Sequence, residues 1–292
     1  MALTPETPNA PDTSVTFWYG CNMSRHGEII RLVTQILDAV GVSAAPAGGP
    51  AYCCGSPQEA NARIAAGMAA RTVEKFNEAG RDKVVTWCPS CHMNMDDLMA
   101  PVTEAAFETQ HITQLLVSRA DRLRPLLANP VPARVLLHAH HGFNSRVPVN
   151  TDVPMLLGMI PGLTMLDHPL RVPAHMCSAI APKPGELARA HRETLDAMAE
   201  TGADTLATVF HSCHRDAVTL ERARPIRVAN YIHLLADAMG LPYTDEYKLW
   251  RNAEDPRAAI GTDRIEASGD VAFQQLVEPE LRRPPIISNG IP

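Results

Sequence analysis

Five of the seven cysteines fall in the first third of the chain: Cys21, the adjacent pair Cys53 and Cys54, and Cys88 and Cys91 of a Cys-Pro-Ser-Cys run. A free cysteine is common as a small core hydrophobe, which accounts for one or two such residues but not for a spaced set with an adjacent pair. In a reducing compartment, clustered thiols are more often metal ligands or catalytic groups than disulfide partners. Irons bridged by sulfide want soft thiolate ligands. Five thiolates, two on neighbouring residues, cannot all be terminal ligands at the corners of a four-iron cubane, whereas a distorted cluster with bridging thiolates uses them all. Zinc is the rival, since four of the five could make a tetrahedral structural site.

The other two cysteines, Cys177 and Cys213, stand in a histidine-rich half with His138, His140, His141, His175, His211 and His214. Cys177, Cys213 and one of His140 or His141 are candidate ligands for zinc or a small iron–sulfur centre, because imidazole suits both. A redox-active dithiol and a pair of plain core cysteines are the other readings. His175, His211 and His214 read as loop surface. His92, beside Cys91, reads as a hydrogen-bond partner of a ligand thiolate rather than as a ligand.

These residues need elements to position them. A β-branched and aromatic run over 15–20 reads as a strand that ends at Cys21, and apolar residues at helical spacing over 27–40 stop at Gly41. A Pro-, Ala- and Gly-rich loop is expected over 43–50, ahead of Cys53-Cys54-Gly55. A helix follows over 59–79, stopped by Gly80, and a strand over 82–87 runs into Cys88. The second half repeats the plan, with a strand over 134–137 running into His138. A helix over 185–199 precedes Gly202, and a strand over 204–210 runs into His211-Ser212-Cys213-His214. Such alternation predicts an α/β fold of open parallel sheets, whose sites form outside the carboxyl ends of the strands.

The repetition extends to individual residues. An ungapped overlay of Glu78–His92 on Glu200–His214 pairs seven identical residues in fifteen, among them Gly80 with Gly202, Thr86 with Thr208 and Cys91-His92 with Cys213-His214. Cys54 and Cys177 correspond as well, 37 and 36 residues before their partners. The chain therefore reads as a tandem duplication of one α/β unit. A disordered lead-in (1–14) precedes an N-terminal unit (15–128); a C-terminal unit (129–240) and an extension (241–292) follow. In the second unit Cys21 is replaced by His140 or His141, Cys53 by Met176 and Cys88 by Phe210.

The run Cys21, Cys53-Cys54-Gly55 and Cys88-Pro89-Ser90-Cys91 resembles the cysteine-rich CCG domain found in the B subunit of heterodisulfide reductase, a family that carries two such units in about this length. The resemblance implies two tandem Rossmann-like CCG units, with a non-cubane four-iron, four-sulfide cluster on Cys21, Cys53, Cys54, Cys88 and Cys91. It implies an oxidoreductase component that acts on a disulfide, thiol or sulfur-carrier substrate, with Cys54, Cys177 and Cys213 at the reacting centre. Its implied partners are a flavoprotein like the A subunit of that reductase and a ferredoxin-like iron–sulfur protein like its C subunit, as in complexes of sulfur metabolism. The second unit departs from the pattern by three thiols, so a different small iron–sulfur or zinc centre is expected there. A zinc-binding scaffold and the iron–sulfur subunit of a glycolate- or lactate-type oxidase are the alternatives; the fused oxidase type usually carries extra cubane motifs.

Composition bounds the rest. The 292 residues are 46% apolar and 20% charged, with a formal net charge of −6, which argues against a nucleic-acid surface. The Met- and Leu-rich stretch 155–166 is too short to span a bilayer and is broken by Pro161. It is expected to be a buried loop or short helix, with a docking surface for a partner subunit as the alternative. The first residues lack a basic and an apolar region, so a cytoplasmic location is expected. The end of the chain, 281–292, reads as an extended tail suited to lie along a partner.

Overall fold

The computed structural model describes residues 13–56, 61–99, 103–141 and 147–287, the side chain of Leu98 excepted. They divide into two compact units, the first running to Leu127 and the second from Ala128 onward, with residues 147–148 grouped with the first.

Unit 1 is built from β1 (Thr13–Gly20), α1 (Gly27–Ala39), β2 (Val42–Gly48), α2 (Ala62–Glu78), β3 (Lys83–Thr86), α3 (Pro89–Asn94), β4 (Glu108–His111), α4 (Ile112–Ser118) and α5 (Ala120–Leu123). Its four strands are parallel, in the order β2-β1-β3-β4. The central strands are apolar on both faces: Val15, Phe17, Trp18, Val84 and Val85 are all buried. That pattern belongs to a parallel sheet covered by helices on either side. Phe76 meets Trp18 edge-on, with centroids 5.2 Å apart, and stacks on Tyr52 at 5.6 Å.

Unit 2 contains β5 (Ala133–Leu137), α6 (Val149–Leu157), β6 (Leu163–Leu166), α7 (Cys177–Ile180), α8 (Glu186–Thr201), β7 (Thr205–Thr208), α9 (His211–Ala217), β8 (Arg227–Asn230), α10 (Tyr231–Met239) and α11 (Glu246–Asn252). Its strands are again parallel, in the order β6-β5-β7-β8. The two sheets thus share one topology. In each, the first strand lies between the second and the third, so the chain reverses its direction of travel across the sheet there. The crevice beyond the carboxyl ends at that reversal is where open α/β sheets place their sites.

The structure corrects several expectations. Residues 42–48 are not a loop but the edge strand β2, paired residue by residue with β1. An edge strand tolerates Pro46, which leaves no donor missing from the interior of the sheet. β1 begins at Thr13, so the last two residues of the expected lead-in belong to the sheet, where Thr13 and Ser14 pair with Val42 and Ser43. The remaining lead-in lies outside the described residues. The stretch 155–166 is the end of α6, a turn and β6, and Met155 is exposed. Residues 281–287 pack on their own chain: Leu281 joins the core of unit 2, and Arg251 donates hydrogen bonds to the carbonyls of Leu281 and Pro284. The rest of that expected tail, 288–292, lies outside the described residues. No described helix is long and apolar enough to cross a membrane.

Candidate functional site

In unit 1, Cys21 follows the last residue of β1, Cys88 caps the start of α3 just beyond β3, and Cys91 lies in the first turn of α3. Cys53 and Cys54 come from the loop between β2 and α2. Three consecutive carbonyls hold that loop. Lys75 donates to Ala51 O (2.7 Å), the Trp18 indole to Tyr52 O (2.9 Å) and the Thr72 hydroxyl to Cys53 O (2.9 Å). Two glycines let the backbone close in. Gly55 has φ +86°, and a Cβ there would lie 2.6 Å from the carbonyl oxygen of Ala65. Gly20 has φ +82°, and a Cβ there would meet Cys88 Cβ and Cys91 Sγ at 3.4 Å. Only a residue without a side chain suits either position.

The five thiols are linked neighbour to neighbour, in the order Cys21, Cys53, Cys54, Cys91, Cys88. The acidities of Cys21, Cys53, Cys54 and Cys91 alternate. The hydrogen bond from Cys53 lowers the thiol of Cys21 to about 7, and those from Cys53 and Cys91 pull Cys54 down to about 2. Cys53 and Cys91 are raised, because their protons are shared with those neighbours and because burial opposes ionisation. Asn94 Nδ2 also donates to Cys54 Sγ at 3.7 Å. The row thus already favours thiolate at Cys21 and Cys54, the form in which sulfur binds metal. His92 Nδ1 is hydrogen-bonded to Thr86 Oγ1 at 2.8 Å, and the His92 ring meets that of His111 edge-on at 5.9 Å.

Unit 2 brings together His138, His140, Cys177 and Cys213, whose ligand atoms all lie within 4.8 Å of one another. His138 Nε2 is 3.2 Å from Cys177 Sγ, and His140 Nε2 is 3.3 Å from Cys213 Sγ and 3.8 Å from Cys177 Sγ. His141, the other candidate for the place of Cys21, is exposed and takes no part. Sequence reasoning misses His138 as a member of this group. Its signal is the His-x-His spacing after β5, because an extended chain turns residues i and i+2 to the same side. His140 does pair as a β-bridge with Val172, which keeps the segment extended. Met176 and Phe210 occupy the positions of Cys53 and Cys88, the latter as the residue capping α9 as Cys88 caps α3; both are buried.

Burial pushes His138 down to about 3. It also works against charge on His140, but the adjacent Cys213 outweighs it and raises that imidazole. Cys213 is lowered, against its burial, by the hydrogen bond from Cys177 and by His140; Cys177 is correspondingly raised.

His211 and His214, expected on the surface, are buried. His214 Nε2 donates to Asp245 Oδ2 at 2.8 Å, and its Nδ1 is joined to Thr208 Oγ1 at 3.1 Å. His233 lies 3.8 Å from the same carboxylate oxygen. His214, His233 and Asp245 form a second group with metal-like spacing. The close His214–Asp245 pair already satisfies the carboxylate there. His175 is half-buried.

Comparison with known proteins agrees with this geometry. The family model of the CCG cysteine-rich domain matches residues 15–96, which contain all five thiols of unit 1. The chain is 26% identical over 255 residues to the D subunit of dihydromethanophenazine:CoB–CoM heterodisulfide reductase from Methanosarcina barkeri, an alignment covering 81% of this chain. The chain spans 62% of that relative's length. Among solved structures, a hypothetical protein from Helicobacter pylori is similar with a TM-score of 0.53 at 12% identity, over 84% of this chain and 52% of that one, a likeness of fold alone. An aspartate racemase homologue from Pyrococcus horikoshii matches with a TM-score of 0.34 at 8% identity, over 78% of this chain and 98% of that one.

Proposed function

We propose, from a first unit that matches the CCG cysteine-rich domain and a chain similar over most of its length to a heterodisulfide reductase subunit, that this protein is an iron–sulfur redox subunit of a heterodisulfide-reductase-like complex. Cys21, Cys53, Cys54, Cys88 and Cys91 hold one non-cubane four-iron cluster. The observation that carries this reading is the continuous row of five thiols, delivered by three separate segments to the carboxyl ends of β1 and β3. When bound, such a cluster supplies one-electron chemistry beside soft thiolate ligands.

The chain's own residues set the conditions for that chemistry. Lys75, Trp18 and Thr72 fix the Cys53-Cys54 loop, Gly20 and Gly55 allow its close approach, and Asn94 directs an N–H at Cys54. A hydrogen bond to a cluster sulfur raises reduction potential, so Asn94 is a tuning group. The substrate class is a disulfide, thiol or sulfur carrier. Reducing a disulfide consumes two electrons and two protons and yields two thiols. The electrons pass through flavoprotein and ferredoxin-like partners. The protein works in the cytoplasm, a reading supported by cysteines that are all free thiols.

Anaerobic purification followed by iron and acid-labile sulfide analysis tests the assignment. About four irons with matching sulfide per chain are expected. Cys54→Ser and Cys88→Ser should each lose most of that iron. A colourless protein, or two variants that keep full iron and an unchanged spectrum, would overturn it.

A further inference from the structure

We propose that His138, His140, Cys177 and Cys213 form a closed site for a single tetrahedral divalent ion of the zinc class, with no redox role of its own. The ligand count, two imidazoles and two thiolates, is that of a structural zinc site. Bonds of about 2.3 Å to sulfur and about 2.0 Å to nitrogen imply ligand–ligand edges of roughly 3.3 to 3.8 Å around a tetrahedral ion. The three sulfur–nitrogen separations, 3.2, 3.3 and 3.8 Å, scatter about the roughly 3.5 Å of a sulfur–nitrogen edge. The remaining pairs lie within 4.8 Å, so a small inward movement of the side chains brings all four donors onto one ion.

The rings are oriented for it. His140 Nδ1 lies 3.3 Å from the carbonyl of Pro173, which can only accept, so Nδ1 carries a proton and Nε2, facing the two sulfurs, is the nitrogen left for a metal. A metal-bound histidine is characteristically held in this way, by a hydrogen bond from its other nitrogen to a backbone carbonyl. His138 likewise turns Nε2 to the pocket, toward Cys177.

Closure sets the role. His138 and His140 are 2% and 1% exposed, and both cysteines are 0% exposed. Four protein ligands complete the tetrahedron, and the burial leaves no approach for water or a sulfur substrate. A catalytic zinc keeps one position open, and this arrangement does not. Phe210 and Met176 stand where unit 1 has two further thiols, so the donors for a larger cluster are missing. The ion would tie together the extended segment after β5, the start of α7 and the first turn of α9. Binding that joins three segments is folding free energy for the unit. Cys177 and Cys213 are therefore ligands of a structural ion, and the sulfur chemistry belongs to unit 1.

The zinc-class site stands independently of the function proposed for unit 1, and the test separates them. The chain, purified anaerobically, should carry about one zinc beyond its iron. Produced with cobalt in place of zinc, it should show the ligand-field bands of tetrahedral cobalt with thiolate-to-cobalt charge transfer. His140→Ala and Cys213→Ser should lose the zinc and keep the iron, and Cys54→Ser should do the reverse. His141→Ala, one residue away but exposed, should keep both metals. A Cys177–Cys213 disulfide in the purified protein, loss of about two irons in His140→Ala, or a cobalt protein without thiolate charge transfer would each overturn the proposal. The cobalt spectrum needs no variant, so a misfolded His140→Ala leaves the test intact.

Discussion

Unit 1 and unit 2 have the same strand order and the same placement of cysteine after the third strand, yet they gather different ligands. The scaffold is shared to the level of single hydrogen bonds. Thr86 joins His92 at 2.8 Å and Thr208 joins His214 at 3.1 Å, each six residues apart. The second histidine ring is edge-on to the first in both, His111 in unit 1 and His233 in unit 2. The ligands diverge in two ways. Unit 2 exchanges thiols for imidazole, phenyl and thioether groups, and it gains Asp245 from beyond α10. One framework thus supports a thiolate row suited to several irons and a compact pocket suited to one ion. The metal chemistry follows from which side chains stand at the strand ends, not from the fold.

The largest effect that would sharpen this contrast is expected at Asp245. Its side chain is almost fully buried and accepts from His214 Nε2 at 2.8 Å, besides capping α11 by accepting from Lys248 N at 3.1 Å. Asp245→Asn keeps a capping oxygen and removes the charge. Weakening a buried hydrogen bond to a charged group costs about 1.5 to 3 kcal/mol. Burial raises the carboxyl, but His214, His233 and Lys248 prevail and hold it below its ordinary range. A depressed folded-state pKa contributes stability above the unfolded value, and that contribution is lost as pH falls toward the folded one. The urea midpoint gap between wild type and Asp245→Asn should therefore be full near neutrality and narrow below about pH 4. A gap independent of pH would show that the carboxylate charge is not what braces α9.

Asp245 also marks where the sequence stops being legible. The duplication, the central strands and the five N-terminal cysteines are readable, because strand-end cysteines and helix-stop glycines recur in register. The edge strand β2 is not, because Ser43, Ala44, Ala45 and Pro46 carry none of the β-branched or aromatic signal that marks the buried strands. His138 is visible only through its spacing to His140, and the choice between His140 and His141 depends on which one the extended segment turns inward. Asp245 lies 31 residues from His214, in a segment with no repeat counterpart. Nothing in its local pattern points to the helix it holds.

A smaller effect, confined to unit 1, is expected at Gly55. Gly55→Ala forces a side chain into a left-handed conformation that costs about 1 to 2 kcal/mol, and its Cβ meets a backbone oxygen that cannot move aside cheaply. The Cys53-Cys54 loop should shift, iron per chain should fall, and the zinc of unit 2 should remain. Equal loss of both metals would mean that the units do not hold their sites independently.

The smallest effect is the most discriminating, because it perturbs a feature the units share. Thr86→Val and Thr208→Val each remove one buried hydroxyl from the same histidine contact and from a neighbouring strand carbonyl, Gln110 O at 3.5 Å or Ala229 O at 3.2 Å. A hydrogen bond of this type contributes about 1 kcal/mol, so the two variants should lose similar stability. Their spectra should differ. His92 adjoins Cys91, so Thr86→Val should shift the paramagnetic resonance of the iron centre and leave the cobalt bands of unit 2 unchanged. His214 adjoins Cys213 but keeps its 2.8 Å hydrogen bond to Asp245, so Thr208→Val should leave the iron signal alone and move the cobalt bands only slightly. If either variant moved the spectrum of the opposite unit, the shared threonine–histidine contact would be coupling the two metals. The equivalence of the units would then be more than a common scaffold carrying two separate chemistries.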